Sequence, residues 1–447
     1  MIESLRDYIE LLVKKDLLIS IPDHVRREDL PEIIEKLLIK NKTLFFQHVE
    51  GYNVRVISNL VPSQKVFSYL FEGEKDPYFA FVQRAGKLIK KTLIKKEKGY
   101  SSINVKENDD LLNFLPILKH YKKDSAPYIT TALVSSMDPE TKVVGRGIHR
   151  MEYRGKNRFG ISLINPPLAD ILKKYRNLKK NMPISISLGV DPLLFLSMAL
   201  KVQNDVDKIE VAGAIKGRSV KVMRSFDSPI DVPAGTEFLL EGEVHIEEKR
   251  KDGPLGEISG YYMTIEETPT VHIRKISFRK NPIYHALLPT SPEADMYLTF
   301  VSRAHVERDV KKLFPFVEEV IFLERTFGSS VIITTTPTER FKINNLLHFV
   351  LSFPMIKKAI VVDTDIDAND LKDLEWAIVT RCFAKDDLIL LRSMQGQPID
   401  PEAMDGQGVT KIGINATTYG KNLEERAQIA PGDKNRVMKV IKKYAAQ

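Results

Sequence analysis

Apolar and polar positions recur at helical spacing over residues 3–16 and again in DLPEIIEKLLIK (29–40), where Asp29 and Pro31 act as start signals. TLFFQHV (43–49) and YNVRVISNL (52–60) read as strands about the Glu50-Gly51 turn, completing a small α/β unit. Residues 87–110 are basic, then polar, and predict a connection. From about Tyr128 to Ser277 the pattern changes to short β-runs broken by Gly, Pro and Asp: ITTALVSSM, GIHRMEYRG, RFGISLI, PISISLGV, IEVAGAIKG, VKVMRS, EFLLEGEV, YYMTIEE and VHIRKISFR. So many closely spaced strands predict a barrel or sandwich, and inserted helices at 167–180 and 191–203 make it α+β. A third unit follows from near Met296, alternating helices at 299–313, 338–352 and 369–379 with strands EEVIFL, SSVIITTT and KAIVVDTD; this is an α/β pattern. The organisation predicted is therefore an N-terminal α/β domain (1–110), a central β-rich domain (111–295) and a C-terminal α/β domain (296–447). Residues 435–446 form a helix apolar on one face, predicted to pack on a subunit or on its own domain.

A chain of 447 residues exceeds one ordinary core. With 43% hydrophobic and 28% charged residues it belongs to the globular class. No apolar run approaches the ~18–20 residues that span a bilayer, and the first helix carries acids as no signal peptide does, so a cytoplasmic protein without a membrane partner is expected. The lone Cys382 excludes an intramolecular disulfide and any cysteine-based metal cluster. The net charge of +8 includes runs at Lys87–Lys98 and Arg176–Lys180. These lack interleaved aromatics, so they read as solvated faces with a general attraction for anions, and no nucleic acid is expected as partner.

Chemistry concentrates in KDGPLGEISGYY (251–262), where Asp252 and Glu257 flank Gly253-Pro254-Leu255-Gly256. Proline fixes its own φ and the glycines permit backbone values that other residues avoid, so the turn is tight and can aim both acids into one cavity. A solvated surface turn is the plainer alternative.

YITTALVSSMDPETKVVGRGIHRME (128–152), ISISLGVDPLLFLSMAL (184–200), EVAGAIKGRSVKV (210–222), DVPAGTEFLLEGEV (231–244), DGPLGEISGYY (252–262), NPIYHALLPTSPEADMYL (281–298) and KAIVVDTDIDANDLKDLEWAIVTR (358–381) together resemble the UbiD family of prenylated-FMN-dependent, reversible (de)carboxylases. The resemblance covers nearly the whole chain in order. It implies a central split β-barrel that binds flavin, a C-terminal dimerisation domain and a homodimer or higher assembly of dimers. It further implies a carboxylic-acid substrate, and a flavin prenyltransferase as supplier of prenylated FMN, or FMN itself as cofactor. The family's proton-transfer network maps onto Arg150, Asp252 and Glu257. Glu257 is then the proton donor, Arg150 the fork that orients the substrate carboxylate, and Asp252 the group that positions Arg150; a purely structural ion network is the alternative. Gly147, Ile148 and His149, from the same segment as Arg150, are implied as flavin contacts, although adjacent strand side chains face opposite ways and His149 should point away from the acids.

The chain departs from the family where a divalent metal tethers the flavin phosphate through Asn, His and Glu. Those positions read Gly145, Pro166 or Pro167, and Lys208; Glu210 could serve only with a shifted register. Glycine and proline side chains supply no metal ligand. The ammonium of Lys208, helped by Arg146, can replace the metal and neutralise the phosphate; an exposed strand-edge lysine is the alternative. His285 and Glu293 are given supporting roles. The acidic VVDTDID (361–367) reads as helix capping and a solvated turn, and Asn415 stands where the family has aspartate. Two functions follow: a decarboxylase of an α,β-unsaturated or aromatic acid (trans-anhydromevalonate 5-phosphate or a hydroxybenzoate), or a non-catalytic UbiD-like partner of an active homologue.

Overall fold

In the computed structural model, residues 2–71, 73–95, 99–421, 423, 426–427, 429–430 and 432–444 are described. The first helix, Leu5–Lys14, begins with a capping box in which Ser4 and Asp7 satisfy each other's backbone N–H groups. Its Arg6 reaches the buried Glu237 with a two-pronged ion pair at 2.8 Å, pinning the N-terminal unit to the central sheet. The N-terminal sheet has four strands in the order Leu18–Val25, Thr43–Val49, Arg55–Ser58 and Ile283–His285. The strand at 18–25 carries no clean alternation, because Pro22 interrupts its ladder and the register slips between Ile21 and His24. That interruption hid it from the periodicity reading.

The central unit is an antiparallel sheet of nine strands. Its spine is the pair Phe238–Gly256 and Tyr262–Arg279, matched over most of their length. Outward from the spine run Arg158–Ile161, Met151–Tyr153 and Tyr128–Ile129 on one side, and Met182–Leu188, Leu133–Met137 and Val144–Ile148 on the other; Tyr100–Asn104 also pairs with Tyr262–Arg279. Helices Leu168–Asn177 and Pro192–Ala199 lie near their predicted places.

IEVAGAIKG is not a strand. It forms the helix Lys208–Lys216, with Asp207 capping the N-terminus through Ile209 N–H and Gly217 ending it in the left-handed region at φ 70°. Burial on nearly every side removes the amphipathic period that would have shown it. Gly213 lets the main chain at Ile89 approach, since a Cβ there would sit 2.9 Å from the Ile89 carbonyl oxygen.

The C-terminal unit is a five-stranded sheet in the order Val317–Phe322, Ser330–Thr335, Lys358–Asp363, Val409–Ala416 and Leu388–Met394. The two-residue period of a strand divides its core: Val331, Ile333, Ala359 and Val361 face the helix Arg340–Ser352, while Ile332, Ile360 and Val362 face the helix Leu371–Arg381. The helix Pro292–Leu313 joins this unit to the rest. In the last helix, Lys434–Tyr444, Val437, Val440 and Ile441 are exposed, so it does not bury its apolar face on its own domain.

The fit of the spine strands has a direct check. The register slips at Gly242, where a Cβ would stand 2.0 Å from the carbonyl oxygen of His272. Gly242→Ala is expected to cost about 2 kcal/mol or more in urea unfolding. An unchanged midpoint would contradict this packing.

Candidate active site

Arg150 sits between the strands Val144–Ile148 and Met151–Tyr153, and its planar fork meets both Asp252 and Glu257. The residues between the acids do not form the predicted turn but a bulge at the end of the strand Phe238–Gly256, where Asp252 pairs with Ile265 and Leu255 with Met263, and the chain reverses only after Gly256. Nη2 donates to Asp252 Oδ1 at 2.7 Å, and Nη1 donates to Glu257 Oε1. Asp252 is fully buried and the Glu257 side chain is 17% exposed, so only the second acid touches solvent. Gly253 takes φ 103°, and a Cβ there would meet the Met263 carbonyl oxygen at 2.6 Å. Gly256 packs under the Tyr121 ring and donates its N–H to Asp124 Oδ1 at 2.9 Å. The bulged segment is thus built to hold one shape.

A second layer surrounds it that the sequence reading did not single out. Glu152 Oε1 accepts from Ser125 Oγ (2.5 Å), Tyr128 Oη (3.0 Å) and Gly253 N–H (3.2 Å), while Arg154 Nε lies 3.2 Å from Glu152 Oε2. The signal was available: Glu152 lies two residues after Arg150, the spacing that places side chains on one face of a strand.

Burial pushes the Asp252 carboxyl above its ordinary range, with the nearby Glu152 adding to the rise and Arg150 opposing it. Glu257 is also raised, by burial first and against the pull of Arg150. For Arg150 burial opposes the charge, but the two carboxylates win and its pKa is raised.

The cofactor side is built differently. Arg146 is wholly buried, with Nε and Nη2 donating to Asp207 and Nη1 donating to Ser135 Oγ; its charge is paired with Asp207, and three of its five N–H groups are taken. Burial disfavours the Asp207 anion, yet Arg146 and Lys91 together bring its pKa down to about 2. Lys208 is neither exposed nor on a strand. It is buried at the first position of its helix, with Nζ donating to the Met198 carbonyl at 2.7 Å, and no carboxylate lies within ion-pair reach among the described residues. Burial lowers its pKa to about 8.

His149 is buried; its Nδ1 hydrogen-bonds the Ser162 carbonyl oxygen at 2.6 Å, leaving Nε2 against Gly147, where a Cβ would come within 2.6 Å of it. Burial first, and the charge of Lys208 second, bring the His149 pKa down to about 4, so it is neutral.

These residues do not fit the family's metal. A Cβ at Gly145 would strike Ile171 Cδ1 at 2.4 Å and Pro167 Cγ at 3.2 Å, so apolar side chains fill the room a ligand would need. They do fit an anion. A buried ammonium without a counter-charge is costly, and a phosphate beside Lys208 would relieve that cost.

The weaker candidates have structural partners. His285 Nε2 and Glu293 Oε1 form a buried pair at 2.9 Å, shared with Tyr297. Asp363 and Asp365 bind Arg381, and Asn415 Oδ1 accepts from Thr417. A cavity of about 580 Å³ between the helix Leu30–Leu37 and residues 119–122 is lined by Tyr121, which also packs on Gly256, but none of Arg150, Asp252 and Glu257 lines it.

Residues 93–292 match the 3-octaprenyl-4-hydroxybenzoate carboxy-lyase Rift-related domain of UbiD, and residues 295–416 match the corresponding C-terminal domain. The chain is 29% identical over 418 residues to anhydromevalonate phosphate decarboxylase of Methanosarcina mazei, covering 92% of this chain and 95% of that protein. It is 27% identical over 442 residues to phenolic acid decarboxylase of Bacillus subtilis, covering 93% and 92%. The fold superposes on the UbiD-class enzyme HmfF from Pelotomaculum thermopropionicum, solved in complex with FMN, with a TM-score of 0.89, 25% identity and coverage of 99% and 100%. Together these matches place the molecule among the carboxy-lyases. The chain belongs to the UbiD family.

The acids' dependence on Arg150 is measurable. Arg150→Met leaves one buried and one partly buried carboxylate without their cation and is expected to cost about 3 kcal/mol near neutral pH. With folded pKa values raised, the folded state holds protons that the unfolded chain releases. The loss is therefore greatest above the folded pKa values and disappears below the ordinary carboxyl value of about 4. Urea unfolding of both proteins across this range checks the sign.

Proposed function

We propose that this chain is a UbiD-type non-oxidative decarboxylase that converts an α,β-unsaturated or aromatic carboxylic acid to CO2 and the protonated product, with prenylated FMN, or FMN, as cofactor. The observation that carries the reading is the Arg150 fork closed on one fully buried acid and one solvent-touching acid. When bound, the flavin supplies an electron sink for the pair left behind as CO2 departs. Arg150 binds the substrate carboxylate through the same donors that hold Asp252 and Glu257 in its absence. Glu257, its pKa raised by burial, delivers a proton to the carbon that lost CO2 and takes another from solvent through its exposed edge. Asp252, sealed from solvent, positions Arg150.

On the cofactor side, Lys208 holds the phosphate without a metal, at the N-terminus of its helix, and Gly147 leaves one strand position without a side chain, next to Ile148 and neutral His149. The nine-stranded sheet is read as the split barrel, residues 296–447 as the dimerisation domain of a homodimer, and a flavin prenyltransferase as cofactor supplier in the cytoplasm. Relatives named anhydromevalonate phosphate decarboxylase favour a phosphorylated unsaturated acid, trans-anhydromevalonate 5-phosphate, ahead of a hydroxybenzoate. The filled space at Gly145 supports one second reading, a non-catalytic subunit that has lost its flavin.

Production with a flavin prenyltransferase separates the two. The enzyme is coloured and a flavinless subunit is colourless. Lys208→Ala is expected to reduce flavin retained through gel filtration about tenfold or more, as loss of a charged hydrogen bond does; full retention would remove Lys208 from the phosphate site. Glu257→Gln is expected to keep the flavin and lose at least about a hundredfold in turnover of the unsaturated acid. An unchanged rate would take Glu257 out of the chemistry.

A further inference from the structure

A second set of ligating groups lies on the outer part of the long strand pair. His245 is paired with Thr270, and His272 follows two residues later, so both imidazoles project from the same face of the sheet. Their rings stack with centroids 3.8 Å apart and planes 19° apart. Between His245 and Lys249 the strand Phe238–Gly256 advances four residues while its partner advances one, from Thr270 to Pro269. This bulge swings Glu248 round, and its Oε2 lies 2.7 Å from His272 Nε2. One donor atom from each of the three residues lies within 4.8 Å of the other two. The His245 imidazole makes no hydrogen bond to another described residue, so its nitrogens are available.

We propose that His245, Glu248 and His272 form a site for a single zinc ion or a similar first-row divalent cation, with water completing the coordination. The donor set is one that zinc prefers: two imidazoles and a carboxylate with a position left open. Hard cations such as magnesium favour all-oxygen cages and are not the fit. Bonds of about 2.0–2.2 Å place tetrahedral ligands about 3.4 Å apart, so the Glu248–His272 pair opens by under about 1 Å and the remaining donor closes by no more than about 1.5 Å. Side-chain rotation covers such movements, and all three residues are partly exposed, which leaves a path for the ion.

The surrounding charge does not forbid it. Arg274 is paired with Glu243 at 2.6 Å and Arg158 with Glu107 at 3.2 Å. Arg250 reaches Glu248 only at 4.0 Å, with its own side chain 58% exposed and able to turn away. None of Gly145, Pro167 and Lys208 belongs to it; His245 and Glu248 stand seven and four residues before Asp252 on the same strand, and His272 lies on the opposite one. An ion there clips the bulge to the opposite strand and stabilises the folded chain by mass action.

The test titrates zinc chloride alone into chelator-treated, dialysed full-length protein by calorimetry, with thermal unfolding in parallel. One zinc per chain is expected, with a zinc-dependent rise in the unfolding midpoint. His245→Ala, His272→Ala and the near-isosteric Glu248→Gln should each weaken binding about tenfold or more and remove the rise. Glu248→Gln keeps the shape of the bulge and so remains informative if a histidine variant unfolds. His48→Ala, taken from the other stacked histidine pair, His24 with His48 at 4.8 Å, should leave the affinity unchanged. The site is overturned by the absence of saturable zinc binding, by affinity that stays within about threefold of the parent in the ligand variants, or by binding that depends on His48.

Discussion

The ion pairing of one guanidinium with two carboxylates in a nearly dry place is the constraint to which the rest of the site answers. Asp252 is closed to solvent, so its charge is tolerable only while Arg150 faces it. That requirement explains the bare Cα atoms at Gly253 and Gly256, the brace from Asp124 and the outer ring of Tyr128, Glu152 and Arg154. Three carboxylates, Glu152, Asp252 and Glu257, face two guanidinia, Arg150 and Arg154. An apolar setting disfavours the surplus negative charge, which is the physical reason that Asp252 and Glu257 bind protons more tightly than free acids do. Two acids with raised pKa values beside a cationic fork hold protons to higher pH than free acids do.

The opposite balance holds a short way back along the chain, on the far side of Gly147. There Arg146 and Lys91 pair with Asp207, and the next residue, Lys208, has no carboxylate within ion-pair reach among the described residues. The central sheet thus carries carboxylates in surplus, while an uncompensated ammonium stands at the N-terminus of a helix.

Much of this was legible in the residues. That Gly253 and Pro254 make a special backbone position between two acids could be read from the residues, but its form could not, since it is a bulge within a long strand and not a turn; the grouping of Arg150 with the two acids came from the family resemblance. What escaped was set by burial and by partners distant in the chain. The helix Lys208–Lys216 looked like a strand because burial on most sides erases amphipathic period, although Asp207 and Gly217 marked its ends. Arg146 looked available because nothing in sequence announces an aspartate 61 residues away as its partner. The strand at 18–25 was masked by its own proline, and the His245–Glu248–His272 cluster depends on a bulge whose length only the pairing of two strands reveals.

The strand Ile283–His285 lies in the N-terminal sheet beside Arg55–Ser58, although more than two hundred residues separate them. Until that strand leaves the ribosome, Val56 and Ile57 form an open, apolar sheet edge with no neighbour to cover it. The first sixty residues therefore cannot complete their fold as they emerge. They wait, half assembled, for the whole central sheet to be synthesised, and through that interval the unpaired edge is a liability for aggregation.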